Sequence, residues 1–304
     1  MTIAEHIYAI GARDHKLAMR ELKPLSGLGF EARAEFWPAW MSVVARRRAE
    51  IAHAMVELAE DNVDLDFAQA LLWMLDDDDA EVRASAAEGL WESERTQVLH
   101  RLLDLLRADP APAVRAAAAV SLSRFAYRAQ LDELAEGDAK ALRAALERVV
   151  LDQRQPLEVR RRAIESAGYF AEDDEIQRQV GLAYAGDELL LRESALVAMG
   201  RSMLPRWLPT IGQALADASP ALRYEAARAV GEMGEDAQQL LPKLTPLLND
   251  GDSEVAFAAI WALGQVGGSS AERLLKQIAK SEDEARRQAA RDALDELSLG
   301  ESLL

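Results

Sequence analysis

The stretch ALRYEAARAVGEMGEDAQ, residues 221–238, combines an aromatic, carboxylates, two arginines and two glycines. Such a mixture suits a binding site, and it equally suits one tile of a repeated structure. Self-similarity along the chain decides most of this. A small apolar residue, then Arg, two variable positions and Ala, recurs as VRASAAEGLW from Val82, VRAAAAVSLS from Val114, VRRRAIESAG from Val159 and LRESALVAMG from Leu191. The series continues as LRYEAARAVG from Leu222, VAFAAIWALG from Val255 and ARRQAARDAL from Ala285. Successive starts differ by 32, 45, 32, 31, 33 and 30 residues. The long interval contains RAQLDELAEGDAK, residues 128–140, which reads as an insertion.

A second helical pattern precedes each core, as in VLHRLLDLLRAD, RWLPTIGQALAD and QLLPKLTPLLND. A polar turn joins the two. Asp77, Asp109, Asp217 and Asp250 lie six residues before the Arg position, and Asp79, Ser219 and Asp252 lie four before it. An oxygen at the latter place caps free helical N–H groups. Pro112 and Pro220 follow at the first-turn position that tolerates proline. Pro209 and Pro242 should kink or start the first helix of their units. Gly234 and Gly267 fall where the second helix should end. The unit is helix–turn–helix, stacked side by side.

This spacing and motif resemble HEAT repeats, in particular the short phycobilisome-lyase-type HEAT-like repeats, and the chain is similar to bacterial HEAT-repeat proteins. The resemblance covers residues 63–296 and implies an all-α fold, a right-handed α-solenoid of about seven helix pairs. Residues 1–62, with FEARAEFW and AWMSVVARRRAEIAHAMVELAED, match less well and read as an N-terminal helical cap or degenerate repeat. Residues 297–304 read as a frayed tail. The fold is a scaffold used for many functions, so it does not by itself assign one.

On a wheel of 3.6 residues per turn, offsets 0, +4 and +8 from the small apolar anchor form the core stripe. Small residues at +5 and +7, such as Ala87, Ala119, Ala227 and Ala229, let neighbouring helices approach. The Arg at +1 can reach a turn aspartate of its own or the adjacent repeat, a structural ladder that lacks its Arg only at Ala256. Offsets +2, +6 and +10 lie on the opposite side, which the resemblance places on the concave surface. A merely solvated face should be polar, yet here Tyr224 and Arg228 precede Phe257 and Trp261 at matching positions, and Tyr169 and Arg201 extend the set. In the last repeat the same face reads Arg287, Arg291 and, shifted by one, Glu296. Aromatics with Arg are the composition of interface hot spots. The six residues are therefore either a protein-binding patch or packing across a curved groove. Trp207, among apolar neighbours on a first helix, reads as packing.

Composition narrows the chemistry. With 35 Lys and Arg against 52 Asp and Glu, the net charge of −17 opposes nucleic acid and anionic lipid and favours basic partners. The dense basic spots, ARRRAE at 45–50 and RQPLEVRRR at 154–162, are not reinforced by neighbouring repeats. No cysteine is present, which excludes disulfides, thiol catalysis and Cys-ligated metal, and fits a reducing compartment such as the cytoplasm. The first residues lack the apolar core of a signal peptide, and the longest uncharged run, 255–271, is too short and polar to span a membrane. HEAT-repeat deoxyhypusine hydroxylases hold iron through His-Glu pairs, but the histidines here precede Ile7, Lys16, Ala54 and Arg101. DDDDAEVRASAA at 76–87 has Glu81 and Ala87 where a calcium loop needs Gly and Glu. No phosphate-binding glycine loop or nucleophile elbow occurs. The expectation is a non-enzymatic scaffold or adaptor that binds a protein or peptide on its concave face, without cofactor, metal, nucleic acid or membrane. The alternative implied by the resemblance is a phycobilisome-lyase-like chromophore chaperone or another enzyme-associated HEAT protein.

Overall fold

The computed structural model describes residues 1–12 and 17–302, and among them every regular element is helical. One histidine, His15, lies outside the described residues. The chain divides into two compact units, Met1–Ser166 and Ala167–Leu304. The helices of the first are α1 (Ile3–Gly11), α2 (Met19–Leu22), α3 (Arg33–Ser42), α4 (Ala45–Asp61), α5 (Ala68–Met74), α6 (Ala80–Glu88), α7 (Thr96–Ala108), α8 (Pro112–Gln130) and α9 (Glu136–Leu151), with α10 (Leu157–Ala167) at its end. The second holds α11 (Asp174–Ala185), α12 (Leu189–Ser202), α13 (Leu208–Ala214), α14 (Pro220–Met233), α15 (Leu241–Leu244), α16 (Ser253–Val266), α17 (Gly268–Ile278) and α18 (Glu284–Ser302). None of the described helices is long and apolar enough to cross a membrane.

Within each pair the first helix brings bulk and the second brings closeness. In α7, Val98, Leu99, Leu102, Leu103 and Leu106 are buried at helical spacing. In α8 the buried set is mostly alanine, with Ser121 among them. Second helices therefore pack on second helices, α6 on α8 and, in the other unit, α12 on α14, α14 on α16 and α16 on α18. Ser121 Oγ donates to the Ala87 carbonyl at 2.7 Å, and Ser166 Oγ to that of Ala119 at 2.7 Å, so small polar groups in this seam are bonded. Glycines complete the approach in the second unit. A methyl at Gly200 would lie 2.9 Å from Ala229 Cα, and one at Gly264 3.0 Å from the Ala293 carbonyl oxygen.

The arginine ladder is present and ties several of the turns to the next, though Arg115 reaches only the carbonyls of its own turn. Arg83 holds both Asp109 oxygens at 2.8 and 3.0 Å while donating to the Asp77 carbonyl of its own turn at 2.9 Å. Arg223 repeats this with Asp250 at 2.7 and 2.7 Å and the Asp217 carbonyl at 2.9 Å, and Arg192 reaches Asp217 at 3.0 Å. Each aspartate also accepts the backbone N–H two residues on, from Ala111, Ser219 or Asp252. At the N-terminal end Arg48 joins the same scheme, with Asp77 at 2.9 and 2.9 Å, which puts α4 in repeat register with α6, on which it packs. Bidentate geometry and partial burial lift such pairs above isolated surface ion pairs.

These contacts hold Asp109, Asp217 and Asp250 below the usual carboxylate range. For Asp250 the Arg223 hydrogen bonds lead, and for Asp217 the Ser219 N–H does. For Asp109 burial pushes upward but is outweighed by Arg83 and the Ala111 N–H. A depressed carboxylate stabilises the fold above its unfolded value, near ~3.9 for Asp, and loses that contribution as pH falls through the folded value. Wild-type thermal stability should therefore fall more steeply below pH ~4 than that of an Asp109→Asn/Asp250→Asn variant. Parallel pH profiles of Tm for the two would remove the ladder as the source of acid sensitivity.

Four local features of the repeats differ in how the fold realises them. Asp79 and Asp252 cap α6 and α16 through their side chains, but Ser219 makes no side-chain cap bond at the start of α14. The insertion lengthens α8 to Gln130 and starts α9 at Glu136, with Asp132 at φ 57 between them. Pro209 and Pro242 fall in the first turns of the short α13 and α15. The last repeat sits one residue later than its alignment on Ala285. Arg287 donates to the Ser281 and Glu282 carbonyls as Arg83, Arg115 and Arg223 do in their own turns, so the ladder arginine is Arg287 and the anchor is Arg286. Burial sets this register, since Ala290 and Ala293 are buried while Ala285 is exposed. The outward face of α18 is then Gln288, Asp292 and Glu296.

Candidate functional site

All six residues of the sequence-predicted patch lie in the second unit. Tyr169 sits in the turn after α10, Arg201 near the end of α12, Tyr224 and Arg228 on α14, and Phe257 and Trp261 on α16. Each is half-buried. Two pairs close between neighbouring repeats at equal offsets. The Arg228 guanidinium lies 4.1 Å from the centre of the Trp261 ring, and that of Arg201 lies 5.2 Å from the centre of the Tyr169 ring. Gln265 and Glu296 form a third such rung at 2.6 Å. Among the described residues Tyr224 and Phe257 make no ring contact with one another. The patch is thus a set of rungs rather than one aromatic cluster.

The local cause is the close packing of second helices. Gly231 leaves room for the Trp261 indole, which a methyl there would strike. The ring is thereby seated against α14 with Arg228 over it, and Arg228 is steadied further by Glu232 at 3.5 Å. A cation over an indole contributes about 0.5–1 kcal/mol at exposed sites and more when desolvated. What remains at the surface is a pre-oriented indole edge and guanidinium N–H groups, which can stack and donate hydrogen bonds. Trp207 is bound instead to its own neighbours, donating to Gln177 Oε1 at 3.0 Å.

The motifs weighed for other chemistry are occupied structurally. Of the four aspartates at 76–79, Asp76 pairs with Arg33 and Arg101, Asp77 and Asp78 with Arg48, and Asp79 caps α6. Among the described residues no cluster of three or more His, Asp or Glu is arranged to hold a metal. In the basic spots, Arg47 is buried against Glu50, Arg48 against Asp77, and Arg161 and Arg162 are paired with Glu158 and Glu165. One feature escaped the sequence reading: Trp91, 47 % exposed, lines a cavity in the first unit. Its signal was an indole at the offset, nine past the anchor, where Gly168, Gly200, Gly231 and Gly264 stand in other repeats.

Paired helices in fixed register, joined by a repeated Arg–Asp ladder, define an α-solenoid of helical repeats. The family model described as HEAT repeats matches residues 68–150 and 208–295, and the chain belongs to the HEAT-repeat family. Among solved structures it is similar to the complex of CpcE and CpcF of phycocyanin lyase from Nostoc sp. PCC7120, at 17% identity over 76% of this chain and 94% of that one, with a TM-score of 0.51. It is also similar to Escherichia coli YibA (18% identity, 81% of this chain, 96% of that one, TM-score 0.46). Human deoxyhypusine hydroxylase in complex with glycerol matches at 15% identity, 97% of each chain and a TM-score of 0.37. At these identities the likeness is one of fold. No protein of curated function matches the chain.

Proposed function

We propose that the protein is a non-enzymatic scaffold whose second unit holds a protein or peptide segment against the outward face of its second helices. The observation that carries this reading is the Arg228–Trp261 rung, a half-buried indole with a guanidinium over its ring at 4.1 Å. A solenoid needs no aromatic at that offset, and Val120, Val197 and Glu88 stand there in other repeats. A rigid aromatic beside Arg supplies contact area at small entropic cost when a partner docks. The long shared face of stacked repeats suits an extended segment rather than a small substrate.

A Phe257→Ala/Trp261→Ala variant tests this. Affinity capture from the source cells, read by mass spectrometry, identifies what the wild type retains, and titration of that purified partner gives the comparison. Loss of a central aromatic anchor costs about 2 kcal/mol or more, roughly 30-fold in affinity. Equal affinity for a variant with wild-type circular dichroism would remove the patch as the site. The phycocyanin-lyase likeness raises a chromophore chaperone as the competing reading, and a pigment absorbance band in the purified protein would favour it over the scaffold.

A further inference from the structure

The first unit contains a cavity that the repeat pattern does not require. Helix α6 stops at Glu88 after 9 residues, while α4 on one side runs for 17 and α8 on the other for 19. From Gly89 the chain leaves the helix and re-enters one only at Thr96. Beside this gap lies a cavity of about 440 Å³. Val56, Leu71 and Leu90 give it an apolar lining, Trp91 exposes nearly half its surface at the wall, and Glu60 and Glu92 add carboxylates.

The charges here are unequal in a telling way. Glu94 is neutralised by Arg124, and Asp66 meets Arg95 at 3.5 Å. Among the described residues Glu60 and Glu92 have no cationic partner. An apolar pocket, an exposed indole and two unpaired carboxylates complement a long basic side chain. Its methylene stem gains by burial, and its cation is attracted by both the indole face and the carboxylates. The net charge of −17 draws basic partners at longer range.

We propose that this cavity is a second docking site, which takes an arginine or lysine side chain of a basic partner-protein segment against Trp91, Glu60 and Glu92. The site is separate from the second unit's aromatic rungs and does not depend on them. The probe is an array of immobilised hexapeptides, followed by anisotropy titration of the best binder. Peptides with Arg or Lys beside an apolar residue should be retained over acidic and neutral ones. The Kd of the best peptide should rise at least roughly tenfold in Trp91→Ala, in Glu60→Gln/Glu92→Gln, and for wild type in half-molar salt. The Phe257→Ala/Trp261→Ala variant should bind it unchanged, which separates this site from the proposed scaffold face. All three variants alter exposed or half-buried side chains, and circular dichroism checks that each is folded. Absence of a basic preference, or equal affinity in the Glu60→Gln/Glu92→Gln variant, would overturn the proposal. So would spermidine competing with the peptide's own affinity, which would make the ligand a free polyamine. A dimer in sedimentation that the same substitutions dissolve would replace the partner with a second copy and overturn it too.

Discussion

Asp77→Ala should lower the free energy of unfolding by about 3–5 kcal/mol, the scale of breaking a buried ion pair from one side. The Asp77 side chain has no exposed surface, and its partner Arg48 is 5 % exposed. Its oxygens accept from Arg48 Nε and Nη2 at 2.9 and 2.9 Å, from Trp40 Nε1 at 2.6 Å and from the Asp79 N–H at 2.9 Å. Alanine removes all four contacts and fills none of the space. It leaves a buried guanidinium and a fully buried indole N–H without this acceptor. The neighbouring Asp76 is the control. It also pairs with two arginines, Arg33 and Arg101, but at 36 % side-chain exposure, so Asp76→Ala should cost less than about 1 kcal/mol. Urea unfolding followed by circular dichroism reads both. Equal losses would mean that burial is not what gives Asp77 its weight.

That contrast marks where sequence reading reached and where it stopped. The run of four aspartates looks uniform in one dimension. Repeat register assigned Asp77 to the ladder position and Asp79 to the cap, and both assignments hold. What register could not supply was the partner from outside the aligned repeats. Arg48 lies in ARRRAE, which as a string is a basic spot and in space is a buried rung. The same limit explains the slip in the last repeat. The alignment favoured an apolar anchor, Ala285, whereas the fold puts Arg286 there and keeps the turn bonds on Arg287. Arg47 holds the same place before Arg48, so α4 and α18 both carry a double arginine where inner repeats have an apolar anchor. Both anchors reach a backbone carbonyl of another element, Arg47 that of Ile10 and Arg286 that of Leu248, and their apolar stems lie along the packed surface.

The candidate site was legible as a composition but not as a geometry. Spacing on a helix named Arg228 and Trp261 and put them at one offset. It could not tell that they stack, because that depends on how near α14 and α16 come, and this is set by Gly231 facing the indole. The cavity beside Trp91 was missed for a related reason. It exists because α6 ends early, and a helix that stops a few residues short leaves the repeat motif intact.

Close approach of second helices makes the second large prediction one of sign. Gly168→Ala should destabilise the protein by about 1–3 kcal/mol, as overpacking of a tight contact does. A methyl at Gly168 would lie 2.6 Å from Ala198 Cα and 2.8 Å from the Ala198 carbonyl oxygen. These are backbone atoms of α12, so no side chain can rotate away, and relief requires the helix itself to move. Gly137→Ala is the same chemical change with the opposite expectation. Gly137 lies in the first turn of α9, and nothing stands within 4 Å of its added methyl. There the smaller entropy of the unfolded chain dominates, and a gain of about 0.4–1 kcal/mol should follow. The two variants share the unfolded-state term, so the difference between their urea midpoints isolates the cost of the α12 contact. Opposite shifts are expected. If Gly168→Ala shifts the midpoint upward as Gly137→Ala does, the second helices do not pack at the separation on which the seam, and with it the stacked Arg228–Trp261 rung, depends.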